Sequence, residues 1–218
     1  MQPLAPSDPF AHAWSLALQA GMVRPFVQPV PSPALLAVDA PLAWRLAHVL
    51  AEATALQQAL GQWSSDPLPK SQDVEAALTG LRKGPGGPGW WKKATRSLHR
   101  LNVGQWRHTL EAFRAQAHAR LKQTRSLHNA LLEAQQAVTT AASQPLPAEA
   151  SEWVFQARLL AQTLATLMER VTVRERLESD LLELANRGLA AVALLETHRG
   201  TNDEEAWELA RRRMRGDA

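Results

Sequence analysis

Between residues 82 and 126 the chain carries 11 lysines and arginines and a single acid, Glu111. Three histidines, His99, His108 and His118, and three tryptophans, Trp90, Trp91 and Trp106, are interleaved with them. Side chains of this kind neutralise phosphates along a nucleic acid. Each contact releases condensed counterions, so affinity falls steeply as salt rises. Indole rings beside them can stack on bases or wedge between base steps. The candidate nucleic-acid-binding residues are Lys92, Lys93, Arg96 and Arg100 on one short segment, with Trp90 and Trp91 before them. Arg107, Arg114, His118, Lys122 and Arg125 join them on the next. At 100° per residue those five fall within about 60° of Arg107, and the apolar residues Trp106, Leu110, Phe113 and Ala117 lie about 100° away. A helix can thus bury one stripe and present a basic stripe beside it.

Three other readings compete. A charged helix face is often only a solvated face, although such faces usually mix signs. The acids Glu169, Glu175, Glu178, Asp180 and Glu183 could instead pair with the basic stripe inside the fold. Trp90 and Trp91 could pack in a core. Arg211, Arg212, Arg213 and Arg215 form a second cluster, which either extends a polyanion surface or complements the dipole of a last helix.

Other chemistry is excluded or unsupported. The chain has 0 Cys and 0 Tyr, so thiol catalysis, cysteine-ligated metals and tyrosine acids are ruled out. Gly84 to Lys92 has the glycines of a phosphate loop but lacks its Gly-Lys-Ser/Thr ending, and Pro85 and Pro88 remove two backbone donors. The 7 histidines include no i,i+4 pair, so no metal or cofactor is expected. His128 reads as a hydrogen-bonded core residue. No Gly-x-Ser-x-Gly or converging triad stands out. The expectation is a protein that is not an enzyme.

The elements that must position the basic stripe are read from breakers and periodicity. Eight of the 14 prolines lie in the first 41 residues. They leave room for a short helix from Pro9 to Ala20 and an extended arm from Met22 to Pro33 that packs Val23, Phe26, Val27 and Val30. Asp39 caps a helix that Gly61 ends, with Leu42, Leu46, Val49, Ala53, Leu56 and Leu60 on one stripe. Ser71 caps a short helix ending at Gly80. Residues 84–89, Gly-Pro-Gly-Gly-Pro-Gly, are the strongest breaker. Trp90 to Asn102 reads as a short basic helix, and Gly104 as a kink or interruption.

From Gln105 to Ser143 there is neither Pro nor Gly, and apolar positions recur every three or four residues. Pro145 and Pro147 mark a loop, and Ser151 caps a second long helix to Arg199. Its stripe of Trp153, Ala157, Leu160, Leu164, Leu167 and Val171 slips at Thr172-Val173-Arg174. It resumes as Leu177, Leu181, Leu184, Gly188, Val192 and Leu195. Leu182, Leu189 and Leu195 are then left over for a second partner. Thr201 opens a capping box for a last helix to Arg215.

The expected fold is all-α and elongated, with a long antiparallel helical hairpin of coiled-coil type and a smaller N-terminal helical part. The expected division is a region 1–81, a hinge 82–89 and a region 90–218. The net charge of +3 divides into −3 for residues 1–81, +10 for 82–126 and −4 for 127–218. The expected function is non-enzymatic binding of nucleic acid, double-stranded DNA first, through phosphates with low sequence specificity. A homodimer or higher homo-oligomer through the hairpin accompanies it. The alternative is a scaffold or interaction subunit of a larger complex, whose basic stripe binds an acidic protein partner. A third reading is peripheral membrane association by the basic segment 90–126, but a membrane is not the expected partner.

The start of the chain has neither a basic region nor an apolar run, and no stretch of about 18 apolar residues occurs. The expected location is cytoplasmic, and nucleoid-associated if the partner is DNA. Arginine outnumbers lysine 19 to 5, a bias associated with GC-rich bacterial or phage genomes.

Overall fold

The structure is a computed structural model that describes residues 27–61, 63–83, 103–198 and 203–216. The expected helices at Pro9–Ala20 and Trp90–Asn102, and the breaker at 84–89, lie outside the described residues. The described residues are all-α. The helices are α1 (Pro33–Val38), α2 (Ala40–Gly61), α3 (Gln72–Lys83), α4 (Val103–Ser143), α5 (Ser151–Thr197) and α6 (Asp203–Arg215). The long α4 and α5 run antiparallel as a helical hairpin. No described helix is long and apolar enough to cross a membrane.

Local chemistry explains most boundaries. Asp39 Oδ1 accepts the backbone N–H of Leu42 at 2.9 Å, capping α2 as its sequence position predicts. Ser71 Oγ accepts the N–H of Val74 at 3.3 Å, capping α3. Gly216 ends α6 at a φ of 86°, a left-handed conformation that glycine adopts without strain.

Four expectations change. Residues 27–32 of the arm carry no helix, but between the arm and Asp39 a helix absent from the sequence reading, α1, starts at Pro33, whose fixed φ suits a first turn. Gly80 does not end α3, which continues to Lys83. A Cβ at Gly80 would stand 2.8 Å from the Trp106 ring, so the glycine serves close packing rather than termination. Gly104 neither kinks nor interrupts, because α4 begins one residue before it, at Val103. Ser151 is not a cap, because one 3-10 turn at Ala148–Ala150 leads into it and its backbone is already helical.

The chain divides into two compact units. Unit 1 comprises residues 1–66 and 122–175, and unit 2 comprises 67–121 and 176–218. These units cut across the three-part division expected from the breakers, because each long helix contributes one half to each unit. In unit 1, α2 supplies Leu46, Leu56 and Leu60, α4 supplies Leu127, Leu131 and Val138, and α5 supplies Trp153, Leu160, Leu164 and Val171. Trp153 Nε1 donates to the Leu46 carbonyl at 2.8 Å, which lets the indole be buried with its polar atom satisfied. Val27 packs on this core, whereas Val30 is exposed. In unit 2, α3 supplies Val74, Leu78 and Leu81, α4 supplies Leu110 and Phe113, α5 supplies Ala185, Val192 and Leu195, and α6 supplies Trp207 and Met214.

The phase slip in α5 disappears in three dimensions. After Val171 the inward positions are Arg174 and Glu178, both buried, and then Leu181, Ala185, Gly188, Val192 and Leu195. The spacing of three and four is unbroken, so no stutter is needed. Two charged residues hold core positions, and for that reason the pattern of apolar residues alone shifts register there. In unit 1, the Arg174 guanidinium lies 4.3 Å from the Trp63 ring centroid and donates to the Ser64 carbonyl at 2.7 Å. Arg170 donates to the Trp63 carbonyl at 2.9 Å. The segment that leaves α2 is thereby tied to α5 by two arginines.

Candidate nucleic-acid interface

The α4 stripe emerges as the spacing requires. Leu110, Phe113, Ala117 and Leu121 are buried, while Arg107, Arg114, His118, Lys122 and Arg125 are exposed. Trp106 is half-buried, set against Gly80 and edge-on to Trp207, with ring centroids 6.4 Å apart at 76°. Its indole therefore belongs to the packing of unit 2 and is not offered to bases. Trp90, Trp91, Lys92, Lys93, Arg96 and Arg100 lie outside the described residues.

The five stripe side chains do not share one fate. In unit 2, Arg107 Nη2 donates to Glu196 Oε2 on α5. In unit 1, Arg125 Nε donates to Glu175 Oε1 at 2.9 Å, and the same carboxylate meets His128 Nδ1 at 3.2 Å. Arg120, in unit 2 on the other flank of the apolar seam from the stripe, reaches the fully buried Glu178 carboxylate at 3.3 Å. Arg114, His118 and Lys122 have no ion-pair partner among the described residues. In unit 2, Arg114 and His118 follow one another at i and i+4 along α4, one above the other. The acidic stretch on α5 thus takes up part of the basic face and leaves part of it in water. Of its other members, Glu183 pairs with Arg187 along α5 at 3.3 Å, and Glu169 and Asp180 are exposed.

Electrostatics follow the same division. Burial, the largest single influence on Glu175, pushes its pKa up. The hydrogen bonds and charges of Arg125 and His128 together outweigh burial and hold the carboxyl below its ordinary value. Arg107 and Arg125 are exposed enough that their ion pairs compete with water and salt.

Sequence reasoning missed Glu196 as the partner of Arg107. Counting outward from Pro147 places Arg107 level with Arg187, nine residues short of Glu196, so the position of the loop does not give this pair. Sequence reasoning also misplaced the apolar positions offered to a second partner. Leu195 is buried in the core of unit 2 and Leu189 packs against it. Leu182 is half-buried. At the C-terminus of α6, Arg212, Arg213 and Arg215 lie in the last turn, where cations complement the helix dipole. Arg212 also meets Glu208 at 3.6 Å. No group of three or more His, Asp or Glu side chains that could hold a metal ion occurs among the described residues. The chain matches no protein-family model, no curated protein and no solved structure.

Proposed function

We propose that the protein binds nucleic acid, double-stranded DNA first, through phosphate contacts with low sequence specificity and without chemistry of its own. The observation that carries this reading is that Arg114 and His118 in unit 2, and Lys122 in unit 1, are each exposed on α4 and without ion-pair partners among the described residues. A helix row of cations fits a phosphate backbone. The reading also narrows the candidate footprint. Arg107 and Arg125 already hold carboxylates, so they assist only by exchanging partners. Lys92, Lys93, Arg96 and Arg100 extend the positive run in sequence.

The test is fluorescence anisotropy with a mixed-sequence duplex at several salt concentrations. Arg114→Ala with Lys122→Ala should weaken binding for every duplex and lower the log–log salt slope by about two. Absence of binding at low salt, or binding indifferent to salt, overturns the proposal.

One observation favours the alternative of an acidic protein partner. The same face of α4 already receives carboxylates from a neighbouring helix, at Arg107 and at Arg125. Under that reading Arg114→Glu with Lys122→Glu spares DNA affinity and abolishes capture of the acidic partner.

A further inference from the structure

Among the described residues, the strongest unpartnered surface lies on α5 in unit 1. Phe155, Leu159 and Val173 are 70%, 56% and 58% exposed. At 100° per residue they lie within about 40° of one another, opposite the buried stripe of Trp153, Ala157, Leu164 and Val171. Gln162, Thr166 and Glu169 fill the positions between them and are also exposed. The gaps run four, three, four, three, four, so α5 bears a second heptad seam facing solvent. Large apolar side chains repeated along such a seam mark a face that takes another helix.

We propose that the occupant is a second copy of this chain, with α5 pairing antiparallel to α5 about a two-fold axis. Charge selects this arrangement. When Phe155 packs on the partner's Val173, Arg158 stands one residue from level with the partner's Glu169 and on the same side of the seam, and the symmetry repeats both contacts. Arg158 and Glu169 are exposed and have no ion-pair partner among the described residues. The centre of the seam sets Gln162 against the partner's Thr166, and Arg170, although level with the partner's Arg158, lies on the opposite flank of the seam beside the partner's Gln156, so no like charges meet. A parallel pairing would instead set Glu169 against its own copy inside the seam. The contact lies in unit 1, needs no nucleic acid, and stands or falls separately from the proposed function.

Sedimentation of the full chain over a micromolar concentration range tests it. Wild type should show a reversible monomer–dimer equilibrium. Phe155→Glu should be monomeric with an unchanged circular dichroism spectrum, since the side chain is not part of the core. Arg158→Glu and Glu169→Arg should each weaken the dimer about tenfold, through two symmetry-related like-charge pairs. Combining them should restore it. A wild-type monomer at every concentration, a dimer indifferent to Phe155→Glu, or a double variant as weak as the singles overturns the proposal.

Discussion

Unit 1 takes the C-terminal half of α4 and the N-terminal half of α5, and unit 2 takes the other two halves. Each unit adds shorter helices, α1 and α2 in the first and α3 and α6 in the second. From similar parts the two reach different electrostatics. By sequence, unit 1 holds 7 basic and 9 acidic side chains, a net of −2, while unit 2 holds 17 and 12, a net of +5. Unit 1 leaves large apolar side chains in water at Phe155, Leu159 and Val173. Unit 2 leaves Arg114 and His118 exposed and contains, by sequence, all of Lys92, Lys93, Arg96 and Arg100. One long hairpin can therefore serve two purposes. An apolar seam suits a partner helix that excludes water, and unpaired cations suit a polyanion that remains hydrated.

The comparison breaks most visibly where a charge is buried. The Glu178 carboxylate in unit 2 is fully buried and meets Arg120 at 3.3 Å. Arg120→Met takes away that cation and should cost about 3 kcal/mol, because a fully buried carboxylate loses a charge partner in the core. Adding Glu178→Leu continues the apolar spacing of α5 and should return stability to within about 1 kcal/mol of wild type. Urea denaturation followed by circular dichroism reads both changes. If Arg120→Met unfolds at the wild-type midpoint, the pair is not the device that makes a charged core position tolerable.

Glycine substitutions should then separate the units by sign. Gly80→Ala in unit 2 pushes a methyl into the Trp106 ring, which a Cβ would approach to 2.8 Å. Overpacking of about 1–3 kcal/mol against about 1 kcal/mol of helix propensity leaves a net loss of roughly 1 kcal/mol. Gly61→Ala in unit 1 meets nothing within 4 Å and does not require positive φ. It should stabilise by about 0.5 kcal/mol, through a less flexible unfolded chain. Thermal melts of the two variants should therefore move in opposite directions.

Periodicity made the hairpin legible, since α4 and α5 bury the stripes that three-and-four spacing selects. It failed wherever a residue acts against its type. Arg174 and Glu178 occupy core positions, so the sequence pattern jumps to Leu177 although Leu177 is exposed. Gly80 reads as a terminator because the ring that needs its missing Cβ is 26 residues away in sequence, at Trp106. The basic stripe was visible as a helix face. Its division into paired and unpaired cations was not, because that depends on which α5 carboxylate lies level with each arginine. Neither charge counts nor the position of the loop carries that register: counted from Pro147, Arg125 falls opposite Glu169, not Glu175.

The smallest expected effect concerns pH. Glu175 in unit 1 accepts from Arg125 and meets His128, and the balance of burial against those two partners holds its carboxyl below the ordinary value of 4.5. A carboxylate with a depressed folded pKa stabilises the fold above its unfolded value and loses that contribution as pH falls through the folded value. The gap in unfolding midpoint between wild type and Glu175→Gln should therefore be constant at neutral pH and close below about pH 4. The Arg125 side chain is 58% exposed, so salt should shrink the same gap. A gap that widens in acid would mean that burial, and not the two α4 partners, governs this carboxylate.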